Sequence, residues 1–288
     1  MSAIAAMRLP EQVDLSGFIE LLQRLQVPHR VAEEAGEQVL WVPEESLAEH
    51  VRALYARYPH GDATVAQSLP LAANTGPSVA QQLRASRMTA AVLLLTFIAA
   101  AITVLGDNLT TVSGLSFVDY RLQGDYIYFS DLSDTLASGQ WWRLLTPMLI
   151  HFGILHLAMN TLWFWELGRR IEARQGPWTL LVLTLLFSLA ANFAQYLHAG
   201  PSLFGGLSGV LYGLLGHCWI FQRLAPNNAY RLPPGVLVMM LAWLLICMTG
   251  IFELLQFGAI ANAAHVGGLL AGCLTGLVGG VLARQQRS

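Results

Sequence analysis

The chain contains no lysine: all 16 of its basic residues are arginine, and no long basic run is present. A nucleic-acid surface needs a basic stripe or cluster, so that class of partner is excluded. Charge of either sign is scarce, at 12% of 288 residues with a net of −2, about half the share a soluble domain carries. Cysteine is nearly absent too. Cys218, Cys247 and Cys273 are odd in number and sit in apolar runs, which implies packing residues and no disulfide framework. The first 80 residues hold no apolar run of membrane length, so no cleavable signal peptide is expected there and the N-terminus is expected to belong to the mature protein.

What is present is hydrophobic: 55% of the residues, with a mean hydropathy of +0.50. The reading is an all-α polytopic membrane protein with six transmembrane helices and a small soluble α/β N-terminal domain. Residues 1 to 65 form that domain, 66 to 87 a flexible linker rich in small and polar residues, 88 to 283 the membrane core, and 284 to 288 a tail. In the first domain, Asp14 is expected to cap a helix whose apolar face is Leu15, Phe18, Ile19, Leu22 and Leu25. Residues 29 to 34 and 37 to 42 read as strands, and Pro43 is expected to open a second helix. His29, His50 and His60 are unclustered, which makes them surface histidines and implies no metal.

Six apolar stretches follow, each near the ~20 residues that span hydrocarbon. They cover 88 to 105, 147 to 167, 178 to 197, 203 to 221, 236 to 252 and 258 to 283. Arg84, Arg87, Arg169, Arg170, Arg174, Arg223, Arg231, Arg284 and Arg287 fall on one side of them, and the opposite loops hold Asp107, Asp119, Asp125, Asp131, Asp134 and Glu253, with Arg121 and Arg143 their only basic residues. By the positive-inside rule both termini are cytoplasmic. Stretches two, four and six then all enter from the outer side. His151, His156 and Asn160 in the second, Ser208 in the fourth and His265 in the sixth come to similar depth, roughly 10 Å below the outer edge of the hydrocarbon. Buried polar groups at one level are costly unless they pair or line a wet cavity. The loop from 106 to 146 carries aromatic and acidic residues in a pattern suited to short interfacial segments, with Trp141 and Trp142 at an aromatic belt.

Gly205, Gly209 and Gly213 recur every fourth residue, with Gly206 beside them, and Gly268, Gly272, Gly276 and Gly280 repeat the spacing in the last stretch. Two such segments can approach nearly backbone to backbone. Ser208 and His265 sit in them and can meet as nucleophile and base, with Tyr212 one turn on from Ser208 holding the imidazole in place of a carboxylate. His156 and Asn160, four apart on one helix face, and the backbone N–H of Ser208 are candidate donors for a developing oxyanion. His151 is read as structural and His217 as packing. Asn192, Gln195 and Asn262 are read as inter-helix hydrogen-bonders, and Glu172 with Arg174 as a pin at the cytoplasmic end. Position 210 is valine, so the stretch is not the G-x-S-x-G elbow of an α/β-hydrolase. A transporter would show an internal repeat and charges along an ion path; no repeat is seen, and the stretches lack charges apart from Glu166 near a cytoplasmic end. A binding relative that does not cut would lack Ser208 or His265.

Gly206-Leu207-Ser208-Gly209 with Tyr212, Ala264-His265 followed by Gly268 and Gly272, the series His151, His156, Asn160, and Trp142-Arg143 in the long loop together resemble the rhomboid family of intramembrane serine proteases, in its bacterial form. The resemblance covers about 88 to 283. It implies a six-helix rhomboid core in the bacterial inner membrane and cleavage of membrane-protein substrates within or next to a transmembrane helix, with a small residue before the cut and no cofactor. It also implies Ser208 as nucleophile, His265 as base, and His156, Asn160 and the Ser208 amide as the oxyanion site. The fifth span and residues 253 to 259 would act as gate and cap.

Overall fold

The computed structural model describes residues 4 to 34, 36 to 61, 78 to 233, 235 to 254 and 259 to 286. The chain divides into two compact units, Met1–Gly76 and Pro77–Ser288.

The first unit is a three-stranded antiparallel sheet with two helices. In chain order these are β1 (Ile4–Pro10), α1 (Ser16–Arg24), β2 (Arg30–Glu34), β3 (Glu37–Val42) and α2 (Glu45–Arg57), with β3 central in the order β1-β3-β2. Phe18, Leu22, Leu40, Ala48 and Val51 are buried together, and Phe18 meets Tyr55 edge to face at 5.0 Å. β1 escapes a reading by propensity, because Ala-Ala-Met-Arg is a poor strand sequence. Its register against β3, Met7 opposite Leu40, is set by that pairing. Two expected helix starts move. The N-cap position of α1 is Leu15, and Asp14 acts one residue earlier, its carboxylate accepting the Ser16 N–H at 2.9 Å. The Ser16 side chain, with this amide second, holds the Asp14 carboxyl below its ordinary range. Pro43 precedes α2 without being part of it, since Glu44 is still extended.

The second unit is almost entirely helical. α3 (Val79–Ala85) opens with a capping box between Ser78 and Gln81 and meets α4 (Arg87–Ile102) at 102°. The later part of the expected linker is therefore helix, while residues 66 to 77 lie outside the described residues. The long loop builds α5 (Leu109–Ser113), a hairpin of β4 (Tyr120–Gln123) and β5 (Tyr126–Phe129), α6 (Leu132–Ala137) and two 3-10 turns, Trp141–Leu144 and Thr146–Leu149. Where interfacial amphipathic segments were expected, the aromatic run at 126 to 129 is a strand. Arg143, only 3% exposed, ties the loop together: its guanidinium pairs with Asp119 at 2.9 Å and donates to the carbonyls of Ser113 and Ser116. Burial pulls its pKa down, partly offset by Asp119.

The remaining helices are α7 (Ile154–Gln175), α8 (Pro177–Ala199), α9 (Ser208–Leu224), α10 (Val236–Met248), α11 (Ile251–Leu254) and α12 (Asn262–Gln285). Gly176, at φ +90, ends α7 and Pro177 starts α8, the glycine-then-proline junction that reverses a chain between helices. Three expected spans begin late. Residues 150 to 153 are not helical and α7 starts at Ile154, running on through the charged stretch Glu166 to Arg174. Residues 203 to 207 are also non-helical, so α9 starts at Ser208, and α12 starts at Asn262. The expected count of six spans is not reached by helix length. Among the described residues two helices, Pro177–Ala199 and Asn262–Gln285, are long and apolar enough to cross a membrane, three if the bent pair α3 and α4 is one span. α9 and α10 have 17 and 13 residues, short of ~20, and α7 carries its charges in its second half.

Glu172 of α7 works as expected at one end of the bundle. It accepts the Met88 and Thr89 N–H groups at 2.8 Å and the Thr89 hydroxyl at 2.7 Å, capping the first turn of α4 from a different helix.

Candidate active site

α9 and α12 make the closest helix contact in the unit. A β-carbon on Gly268 or Gly272 would collide with the carbonyl oxygens of Gly209 and Gly213, and one on Gly276 would lie 2.6 Å from that of His217. The register advances in the same direction on both helices, so they run parallel. On the other flank of α9, Gly209 would meet Ala191 Cβ at 2.5 Å and Gly213 the Phe187 ring, both from α8, which runs antiparallel. Any side chain at these glycines would push the helices apart.

This contact brings Ser208 and His265 together. Ser208 Oγ lies 2.7 Å from His265 Nε2. His265 is 6% exposed and Ser208 partly so. The Tyr212 ring lies 5.0 Å from the imidazole, tilted by 44°, so it packs on the ring without stacking in parallel. Its hydroxyl donates to the Met240 carbonyl of α10 at 3.0 Å, a tie with no sequence signal because its partner is backbone. Ser208 is the first residue of α9, where backbone N–H groups have no partner within the helix.

His156 and Asn160 lie in the first two turns of α7 and face the loop before Ser208. A β-carbon on Gly206 would be 2.7 Å from His156 Nε2 and 3.7 Å from Asn160 Nδ2. His156 Nδ1 accepts the Phe152 N–H at 3.3 Å, which leaves the proton of the neutral ring on Nε2, the nitrogen nearest Gly206. One Asn160 N–H is used on the His156 carbonyl at 2.9 Å. Gly205 and Gly206 are therefore not part of a helical glycine stripe. Gly205 fits against Ile150 and the Pro147 carbonyl, and Gly206 adopts φ +116 in the turn into α9.

A small cavity adjoins Ser208, lined among others by Met148, Ser188, Phe204, Gly205 and Ala264. Asn192 and Ser188 of α8 bond the carbonyls of Leu144 and Leu145 beside it. His151, fully buried, contacts the Leu149 carbonyl and the His156 ring. His217 meets the Thr275 hydroxyl of α12 at 3.1 Å, a helix-packing contact away from Ser208. Residues 255 to 258, most of the segment expected to act as a cap, lie outside the described residues.

Apolar helices packed through glycine, at least two of them long enough to cross a membrane, bring a serine hydroxyl and a histidine ring nitrogen into hydrogen-bond contact, which is the pattern of a membrane protein. Residues 138 to 281 match the Rhomboid domain family, and residues 1 to 68 the Rhomboid N-terminal domain. The chain belongs to the rhomboid family. Among curated relatives it is similar to "Rhomboid protease GlpG" of Serratia proteamaculans (strain 568), 43% identical over 135 residues, 47% of each chain. It is also similar to the protein of the same name from Yersinia pseudotuberculosis serotype I, 38% identical over 156 residues, 53% of this chain and 54% of the relative. The match spans about half the length of these relatives.

Proposed function

We propose that the chain is an intramembrane serine endopeptidase that cleaves transmembrane proteins within or next to a membrane-spanning helix through a Ser208–His265 dyad. The observation that carries this reading is the 2.7 Å contact between Ser208 Oγ and His265 Nε2. In the reaction, His265 Nε2 takes the hydroxyl proton as Oγ attacks the scissile carbonyl carbon, and then returns that proton to the leaving amine. Water, deprotonated by the same nitrogen, then attacks the acyl carbon; the carbon–Oγ bond breaks and His265 returns the proton to Ser208 Oγ. The tetrahedral oxygen is received by His156 Nε2–H, the second Asn160 N–H and the Ser208 amide. The two side chains converge on the Gly206 turn, two residues before the nucleophile. Each such donor contributes ~3 kcal/mol in the transition state. Tyr212 orients the base by packing, and no cofactor takes part. Preference for a small residue before the cut is supported by the small cavity beside Ser208.

The reading includes six spans in a bacterial inner membrane, both termini cytoplasmic and the site opening to the outer side, supported by the placement of the arginines. The test is to incubate detergent-purified chain with single-span membrane proteins. Wild type should release two fragments, and Ser208→Ala and His265→Ala should release none. Equal cleavage by Ser208→Ala and wild type would end the reading.

A further inference from the structure

The glycine contact between α9 and α12 sets how close the two helices lie, but smooth, side-chain-free surfaces do little to stop one helix sliding or turning against the other. A slide of one residue is ~1.5 Å, enough to break the Ser208–His265 bond. α12 also lacks a cap of its own. Its N-cap position is Ala261, with no side chain able to accept a first-turn amide, and the first intrahelical bond, His265 N–H to the Ala261 carbonyl, is long at 3.3 Å. A residue 69 positions away supplies the missing acceptor: Gln195 of α8, 8% exposed, accepts the Ala264 N–H through Oε1 at 3.2 Å. Ala264 is the residue immediately before the base. On the other side of the same turn, Asn262 Nδ2 donates to the Cys247 carbonyl near the end of α10 at 3.0 Å.

We propose that Gln195 is a positioning residue for His265: by capping α12 from α8 at Ala264, it fixes the axial and rotational register that the glycine contact leaves free. The proposal rests on the Ser208–His265 reading. Gln195 touches neither of those side chains among the bonds described and acts on the base only through the backbone next to it.

The test uses the full chain in detergent and two readouts, cleavage of a single-span substrate and the rate at which a fluorophosphonate probe labels Ser208. Gln195→Met keeps the length of the side chain and removes the acceptor. Gln195→Asn keeps a polar amide and withdraws it by one methylene. Gln195→Glu keeps an oxygen in place. The Met and Asn variants should lose about 10- to 100-fold in kcat and in labelling rate, the scale expected of a misplaced catalytic group, with KM within about threefold of wild type. The Glu variant should stay within about threefold of wild type on both, in the range of a preserved contact. Measuring each variant well below its own Tm separates register from unfolding. Labelling of both acceptor-less variants at the wild-type rate would overturn the proposal, as would a Glu variant as slow as the Met variant. A wild-type chain whose Ser208 is inert overturns both this proposal and the dyad. An active wild type with unaffected Gln195 variants removes only this one.

Discussion

The carbonyl oxygen of Gly209 occupies the space a β-carbon on Gly268 would need. The obstacle is backbone, which has no rotamer to yield, so the contact accepts no side chain without a shift of one helix. Gly268→Ala should therefore destabilise the bundle by about 1–3 kcal/mol through overpacking. It should also reduce cleavage by about 100-fold, because Ser208 and His265 are carried on the two helices being separated. Thermal unfolding and kcat/KM in detergent check both. An alanine variant with unchanged cleavage would mean that the pair does not depend on this contact.

Gly206 is constrained by both its backbone and its neighbours. At φ +116 an alanine is strained by about 1–3 kcal/mol, and its β-carbon would lie 2.7 Å from His156 Nε2. Gly206→Ala is expected to lower kcat more than it lowers Tm, since the intrusion displaces a proposed oxyanion donor while the α9–α12 contact stays intact. A fall in Tm with kcat retained would contradict the placement of His156.

Glu172 caps α4 across the bundle with three accepted bonds. Glu172→Ala leaves the Met88 and Thr89 amides without their partner, and a lost cap is worth about 0.5–2 kcal/mol. Glu172→Gln, which keeps one acceptor oxygen, should fall between alanine and wild type in midpoint of denaturation. Activity measured on the folded fraction should not change, because this end of α7 is far along the helix from His156.

Tyr120 donates its hydroxyl to the Leu109 carbonyl at 2.5 Å and is 4% exposed. Burial raises its pKa to about 12, against a lowering by Arg143. The folded state therefore holds the phenolic proton more tightly than the unfolded chain, whose tyrosine ionises near pH 10. The stability tied to that proton is complete below about pH 10 and is lost as pH rises towards about 12. Wild type should lose more Tm than Tyr120→Phe across that window. Superposed curves would refute the coupling.

Much of the membrane unit is legible in one dimension because its signals are local or periodic. Apolar runs mark the helices, arginines mark one side of them, and glycines at four-residue spacing mark the faces that can touch. The candidate pair stood out because a serine and a histidine each lay in such a glycine-rich segment, and that placement needs no partner to be read. Span ends were harder to place. Residues 147 to 153 and 203 to 207 are as apolar as the helices they precede, and hydropathy does not distinguish a helical turn from a buried loop, so the sequence places His151, Gly205 and Gly206 in helices they do not join.

Composition and spacing by themselves determined the class of protein, the helices that can pack closely and the residues able to do chemistry, because each depends on what a side chain is and how far along the chain its neighbour lies. Tertiary structure alone decided the 2.7 Å approach of Ser208 to His265, the proton-bearing nitrogen of His156, the anchoring of Tyr212 on Met240 and the capping of Ala264 by Gln195. Those contacts join residues far apart in sequence or side chains to backbone atoms, and a backbone amide or carbonyl carries no residue identity by which its partner could be foreseen.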